Sequence, residues 1–302
     1  MRRSLWRPGA LLLLVGGAGA LFWGWGRTAE ESPWGVVWAE GLGDGQAVLV
    51  WENGDRARIS RVSLADGRPE RTLEEEGALT VLAKTPGVLW VRSEGGIMAV
   101  ELPALVRHRV EGTLRSDPRL ANYQRAVGTT VDRLVLVNER DERFAVSVDG
   151  SIERVEADTP LEPAFDVHQV RTPTAERGPW EGLRAQDLPL ARPAFLVEGG
   201  RPVTPREDLA LVVAREGSGP SETHEVAAVA RDGTVRWRAP ALVPAGRVIW
   251  VSSRGERLIA LARRLVPAEG EGEARWLHRS ELVRVDPDRG PTERVVLSPG
   301  EP

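Results

Sequence analysis

Four histidines, His108, His168, His224 and His278, are the side chains best suited to proton transfer or metal ligation, and no two lie within four residues of each other. Metal sites legible in sequence carry paired ligands at short spacing, so no metal cluster is visible here. Asp286-Pro287-Asp288-Arg289-Gly290 begins like a calcium loop. It lacks the acidic residue that completes such a loop, and Pro287 limits how the backbone wraps, so a plain turn is expected. Glu74-Glu75-Glu76 offers carboxylates, but acid–base chemistry needs two of them converging across a cleft, and a solvated turn is expected. Ser218 lies in Glu-Gly-Ser-Gly-Pro, a flexible turn rather than a nucleophile elbow. The phosphate-binding and dinucleotide fingerprints are missing too. Without cysteine there is no thiol nucleophile, no disulfide and no cysteine-ligated metal. The chain is therefore not expected to be an enzyme, and no catalytic, cofactor-binding or metal residue is assigned.

The elements around these residues begin with a basic end. Arg2, Arg3 and Arg7 precede an uncharged stretch from Pro8 to Gly26, and Arg27 closes it. As a helix this stretch is roughly 28 Å long, close to the bilayer's hydrocarbon core of about 30 Å. The basic flank keeps residues 1–7 cytoplasmic and sends the rest across. Ala18-Gly19-Ala20 resembles a cleavage site, but Phe22, Trp23 and Trp25 prolong the apolar run and suit a membrane interface. The expectation is a retained signal-anchor in an inner membrane with the C-terminal part in the periplasm; the alternative is secretion after cleavage. Gly16, Ala20 and Gly24 share one helix face and could pair two spans into a homodimer. Residues 27–40 are expected to be linker.

Composition narrows the partners. The net charge is −4, and all basic residues except Lys84 are arginine. Without the four arginines of the first 27 residues, where no acid occurs, 36 basic residues face 44 acidic ones, a balance of −8. An acidic ectodomain is a poor match for nucleic acid. A 41% hydrophobic content supports a substantial core.

Short apolar runs recur at 47–51, 88–91, 134–137, 209–213 and 248–251. Polar turns follow each, and Asp66-Gly67, Asp149-Gly150 and Asp232-Gly233 mark tight hairpins. Phe144 to Val148 alternates as a half-buried strand does. The run starts are 41, 46, 75 and 39 residues apart, and three of these intervals match a four-stranded propeller blade. No long amphipathic helix separates them, which argues against crossover helices. The expected fold is all-β: a propeller-like meander of about six or seven blades over residues 41–298. Tandem β-sandwiches are the alternative. Residues 156–206 carry eight prolines and read as an insertion, either a lid or partner-binding loop or a solvated excursion. Residues 267–274 read as an extended hairpin loop.

The run from Val226 to Trp237, with Asp232-Gly233 and a tryptophan four residues beyond the glycine, resembles the repeat of quinoprotein-like (PQQ-like) β-propellers. Val62 to Arg68 and Leu282 to Gly290 are similar to it without the tryptophan. The resemblance covers about residues 40–298. It implies a propeller whose tryptophans dock blade on blade. Enzymes of that family cap a quinone cofactor with a vicinal cysteine pair, which this chain cannot form. The resemblance therefore implies the non-catalytic branch: an envelope scaffold or protein-interaction module with an envelope partner and no cofactor. A sensor ectodomain for a small molecule or carbohydrate, or a quinone- or metal-dependent propeller enzyme, remains the alternative. Eleven tryptophans stand against four phenylalanines and one tyrosine. Trp51, Trp90 and Trp250 sit in the apolar runs and are expected to pack between blades, with carbohydrate stacking as their alternative role.

Overall fold

A computed structural model describes residues 32–43, 45–102, 104–164, 172–217, 222–239, 247–266 and 275–302. The expected membrane span 8–26, the Gly16/Ala20/Gly24 face, His168, Ser218 and the loop 267–274 lie outside the described residues. No helix among the described residues is long and apolar enough to cross a membrane.

The described chain is almost entirely β-structure, as expected, and its strands form five antiparallel sheets in chain order. Sheet 1 holds β1 (Gly35–Gly43), β2 (Gln46–Asn53), β3 (Arg56–Ser63) and β4 (Pro69–Glu76). Sheet 2 holds β5 (Thr80–Thr85), β6 (Val88–Ser93), β7 (Gly96–Glu101) and β8 (Val106–Arg109). A single-turn helix α1 (Glu111–Ser116) leads to sheet 3, with β9 (Arg125–Thr129), β10 (Leu134–Val137), β11 (Arg143–Val146), β12 (Ile152–Val155) and β13 (Glu162–Pro163). Sheet 4 contains β14 (Thr174–Ala175), β15 (Ala194–Glu198), β16 (Arg201–Pro202), β17 (Leu209–Glu216), β18 (Thr223–Ala230) and β19 (Val235–Ala239). Sheet 5 closes the chain with β20 (Arg247–Val251), β21 (Arg257–Val266), β22 (Arg275–Asp286) and β23 (Gly290–Val296).

The uninterrupted apolar runs are explained by burial on both strand faces. Side chains alternate across a strand. In β2, Val48 and Val50 point into a core shared with sheet 2, while Ala47, Leu49 and Trp51 point into a core shared with sheet 5. In β6, Leu89 and Val91 face sheet 1, and Val88 and Trp90 face sheet 3. In sheet 5 a register shift between Val248 and Trp250 breaks the alternation of β20. Val248 and Val251 then face sheet 4, and Ile249 and Trp250 face sheet 1. Sheets 1, 2 and 5 are thus each covered on both faces by a different sheet, in the packing order 3–2–1–5–4. Strands of neighbouring sheets also meet: β1 with β20, β5 with β9 and β15 with β20.

Five sheets stand where six or seven were expected. Among the described residues, the long interval between the runs at 134 and 209 holds no extra four-stranded sheet. Its proline-rich residues contribute β13 and β14, and β15 at its end already belongs to sheet 4 because Phe195, Leu196 and Val197 are buried. The strand boundary at the other end also moves. β1 starts at Gly35, inside the expected linker 27–40, because Val36 and Ala39 join the core shared with sheet 5.

Ser32 and the C-terminal tail are both fixed to this framework. Ser32 exchanges both backbone hydrogen bonds with His278. The carbonyl of Pro299 accepts from Ser60 Oγ at 2.5 Å and Thr72 Oγ1 at 2.6 Å, and that of Gly300 accepts from Arg58 Nη1 at 2.7 Å. The C-terminal tail thereby lies across sheet 1 and joins the last sheet to the first.

Candidate functional site

In an antiparallel meander, alternate turns fall at opposite ends of each sheet. The β1–β2, β3–β4 and β20–β21 turns lie together at one end, beside the β15–β16 turn. The β20–β21 turn owes its shape to Gly255, which has φ +66° and lies so close to Leu211 that a Cβ would sit 2.8 Å from its Cδ1. Only glycine accommodates both the left-handed backbone and that approach. Gly255 donates to the Ser252 carbonyl at 2.7 Å, and Ser252 Oγ accepts from the Arg257 backbone at 3.0 Å. The turn is therefore pinned inward at Gly255, leaving Ser253 and Arg254 exposed.

Between these turns runs a two-lobed cleft. One lobe, of about 430 Å³, is lined by Gln46, Ser63, Leu64, Glu70, Ser252, Arg254 and Arg257 among others. The other, of about 510 Å³, shares Gln46, Leu64, Ser252 and Arg254 and adds Gly41, Gly43, Glu198 and Trp250. Arg257 Nε donates to the Leu64 carbonyl at 3.0 Å and its Nη1 to the Glu256 carbonyl at 3.0 Å. Burial, and next the nearby Arg284, push the Arg257 pKa below the ordinary arginine range, while Glu256 and Glu293 oppose the shift. The guanidinium stays charged. Among the described residues neither Arg254 nor Arg257 has a carboxylate within ion-pair distance. Glu70 on the rim is engaged elsewhere, 2.9 Å from Arg61 Nε and 2.8 Å from the Gln46 amide.

Among the described residues, those singled out in the sequence do not converge on this cleft, apart from Trp250. His108 on β8 pairs with Glu101 at 3.0 Å. The His278 ring packs on Gly35. His224 is buried where sheets 4 and 5 meet: its Nδ1 accepts from the Val248 backbone at 3.2 Å, so Nε2 carries the proton facing Glu222 Oε1 at 3.1 Å. Burial lowers its pKa, against the hydrogen bond to Glu222. Asp286 Oδ1 caps its own turn, accepting from the Asp288 and Arg289 backbones at 2.9 and 3.0 Å, and Asp288 pairs with Arg206 at 2.5 Å. Among the described residues no cluster of three or more His, Asp or Glu could hold a metal ion.

Glu74 to Glu76 is a strand and not the solvated turn expected. Strand alternation sends Glu74 to Arg58, at 2.6 Å, and turns the buried Glu75 to Arg107 and Arg109. Sequence spacing could not show the Glu75 pairing, because Arg107 and Arg109 lie on a different sheet. Glu111 is a second buried carboxylate, accepting from the Ile97 backbone at 3.0 Å, the Tyr123 hydroxyl at 3.1 Å and Arg115 Nε at 2.8 Å. Trp51, Trp90 and Trp250 pack between sheets, as expected. Trp51 and Trp90 are closed off from solvent, while Trp250, 5% exposed, reaches the cleft.

No family model matches the chain, and no curated protein matches it. Solved structures give distant likenesses. The AfRom2 CNH domain is 12% identical with a TM-score of 0.29, over 80% of this chain and 64% of that one. This chain thus spans less than two thirds of that structure. A quinoprotein alcohol dehydrogenase-like protein from Bacteroides thetaiotaomicron VPI-5482 is 11% identical with a TM-score of 0.28, over 90% of this chain and 67% of that one. KlAtg21, in a complex with the coiled-coil of AgAtg16, is 7% identical with a TM-score of 0.28, over 87% of this chain and 100% of that one. Likenesses of this size decide neither fold nor function.

Proposed function

We propose that the chain is a membrane-anchored, extracytoplasmic β-propeller that binds a partner rather than catalysing a reaction. It is held in the inner membrane by residues 8–26 and serves as an interaction or scaffold module of the envelope. Burial of sheets 1, 2 and 5 on both faces by different sheets supports the propeller over tandem sandwiches, since a sandwich pairs its sheets two by two and leaves each an open outer face. The quinoprotein-like repeat supports the same reading. Trp237, the tryptophan of that repeat, leaves sheet 4 to donate from Nε1 to the Pro287 carbonyl of sheet 5 at 2.7 Å.

The observation that carries the binding role is the cleft, which joins turns of three sheets and presents hydroxyls and two guanidiniums without carboxylate partners among the described residues. The chain enters this unit at Ser32, ahead of β1, at the end opposite the β1–β2 turn and the cleft. A photo-reactive residue placed at Ser253 tests the role in cells. A discrete cross-linked partner at Ser253, absent when the probe is at Asp55 at the other end of sheet 1, is expected. Equal cross-linking at both positions, or none at Ser253, refutes it. Retention in the membrane pellet after alkaline extraction tests the anchor.

A further inference from the structure

We propose that the cleft between sheets 1 and 5 is a binding site for a small oxyanion, a carboxylate or a phosphate, held between Arg254 and Arg257. This rests on the reading of that end as the binding end and names the chemistry it recognises.

Three observations converge. First, Arg257 is half-buried and spends Nε and Nη1 on carbonyl oxygens, which satisfy donors without neutralising charge. Arg284, which bears on it from the same sheet, is itself paired with Glu293 at 3.0 Å. Burying a guanidinium without a carboxylate is costly, and an anion entering the cleft removes that cost. Second, Arg254 reaches the same space from an exposed turn and has no ion-pair partner among the described residues. Two guanidiniums with donors left over line one lobe, and guanidinium donors suit planar or tetrahedral oxyanions. Third, the Ser252 hydroxyl already accepts from the Arg257 backbone, so its own proton is available to donate into the cleft, with Ser253 beside it.

The rim also sets a limit on what enters. Glu198 and Glu256 line the cleft with the arginines. Together with the acidic balance of the chain, they repel an extended polyanion while leaving room for one or two anionic groups. A ligand of about the size of a dicarboxylate or a phosphate monoester fits the lobe volumes.

The test is calorimetric titration of the full chain in detergent with inorganic phosphate and, separately, with succinate, each against sodium chloride of matched ionic strength. Saturable binding of either anion, weakened at least about tenfold by Arg254→Gln and unchanged by Arg236→Gln on the outer strand of sheet 4, is the expected result. Binding of phosphate alone identifies a phosphorylated ligand, and binding of succinate alone a carboxylate. Arg254 is exposed, so its variant folds as the parent does, and an identical thermal transition checks this. Absence of saturable binding to both anions, or binding insensitive to Arg254→Gln, overturns the proposal. If the Ser253 cross-link survives that outcome, the binding end stands and only its anion is wrong. If the cross-link is lost as well, the reading beneath it fails.

Discussion

Trp237 is the side chain on which the docking of sheet 4 onto sheet 5 can be tested most directly. Its indole donates to the Pro287 carbonyl at 2.7 Å, and its ring covers Gly290, where a Cβ would stand 3.1 Å from the ring. Full burial makes Trp→Ala cost ~3–5 kcal/mol, and Trp237 is only partly buried, so Trp237→Ala should cost about 2–3 kcal/mol. Trp237→Phe keeps most of the packing and loses the hydrogen bond, about 1 kcal/mol. Gly290→Ala meets both a left-handed backbone, φ +82°, and the ring. It should cost about 1–2 kcal/mol alone but only about 1 kcal/mol once the ring is gone, so the double variant should be less destabilised than the sum. Urea unfolding followed by circular dichroism gives these differences as midpoint shifts at constant slope. A Trp237→Ala midpoint within about 0.5 kcal/mol of the parent, or strict additivity with Gly290→Ala, would refute the docking role.

Three further outcomes follow from the same structure. Burial, with the Glu111 charge added to it, pushes the Tyr123 hydroxyl up to about 12, and it is the sole tyrosine. Phenolate absorbance should therefore show one transition near pH 12 in the folded chain, and a midpoint near 10 refutes the burial of Tyr123 beside Glu111. His224 has its folded pKa depressed by burial, with Glu222, Arg215 and Arg247 facing it, so the unfolded chain takes up its proton first as pH falls. Its contribution to stability is present above the ordinary histidine value and is lost as pH drops toward the folded one, at no more than about 1.4 kcal/mol per pH unit. The melting temperature should fall more steeply below pH 6.5 in the parent than in His224→Gln, and parallel curves refute this. Deleting residues 299–302 removes the acceptors of Ser60, Thr72 and Arg58, at roughly 1 kcal/mol each. The loss should total about 2–3 kcal/mol by denaturant midpoint, and an unchanged midpoint means the tail does not clasp sheet 1.

The sheets were legible in the sequence because strand burial leaves a pattern that local residues carry by themselves. Val48 to Trp51 is apolar throughout because both faces are covered, and Asp66-Gly67 and Asp232-Gly233 mark turns through the conformations their residues allow. The count was less legible. In sheets 1 to 4 the apolar run is the second of the four core strands, but in sheet 5 it is the first, because β20 faces two cores and reads like β2. The cleft was not legible at all. Ser252-Ser253-Arg254-Gly255 is ordinary turn chemistry until Leu64 and Gln46, some 200 residues away in sequence, are folded against it. The arginine partners of Glu75 were hidden for the same reason.

The stretch of the proline-rich insertion between β14 and β15 shows how a segment without strands still does a sheet's work. One face of sheet 4 packs on sheet 5 through Leu211, Val213 and Val226. The opposite face, with Phe195, Ala210, Val212 and Val229 fully buried, needs a cover of its own. Between β14 and β15, Pro179, Pro189 and Pro193 each remove a ladder donor, and no strand of the five sheets forms there. The stretch covers the face with side chains instead: Ala185 and Leu188 are buried there, and Trp180, Leu183 and Leu190 pack against them. Gly178 fits only because it lies against Phe195, where a Cβ would stand 2.9 Å from the ring. The portion from Gly178 to Leu190 is thus anchored on sheet 4, with Ala185 and Leu188 buried in its core. Gly178→Val should loosen that cover and raise protease cleavage near Trp180 while leaving the cleft's anion binding intact. Loss of anion binding without new cleavage would instead tie this face of sheet 4 to the cleft.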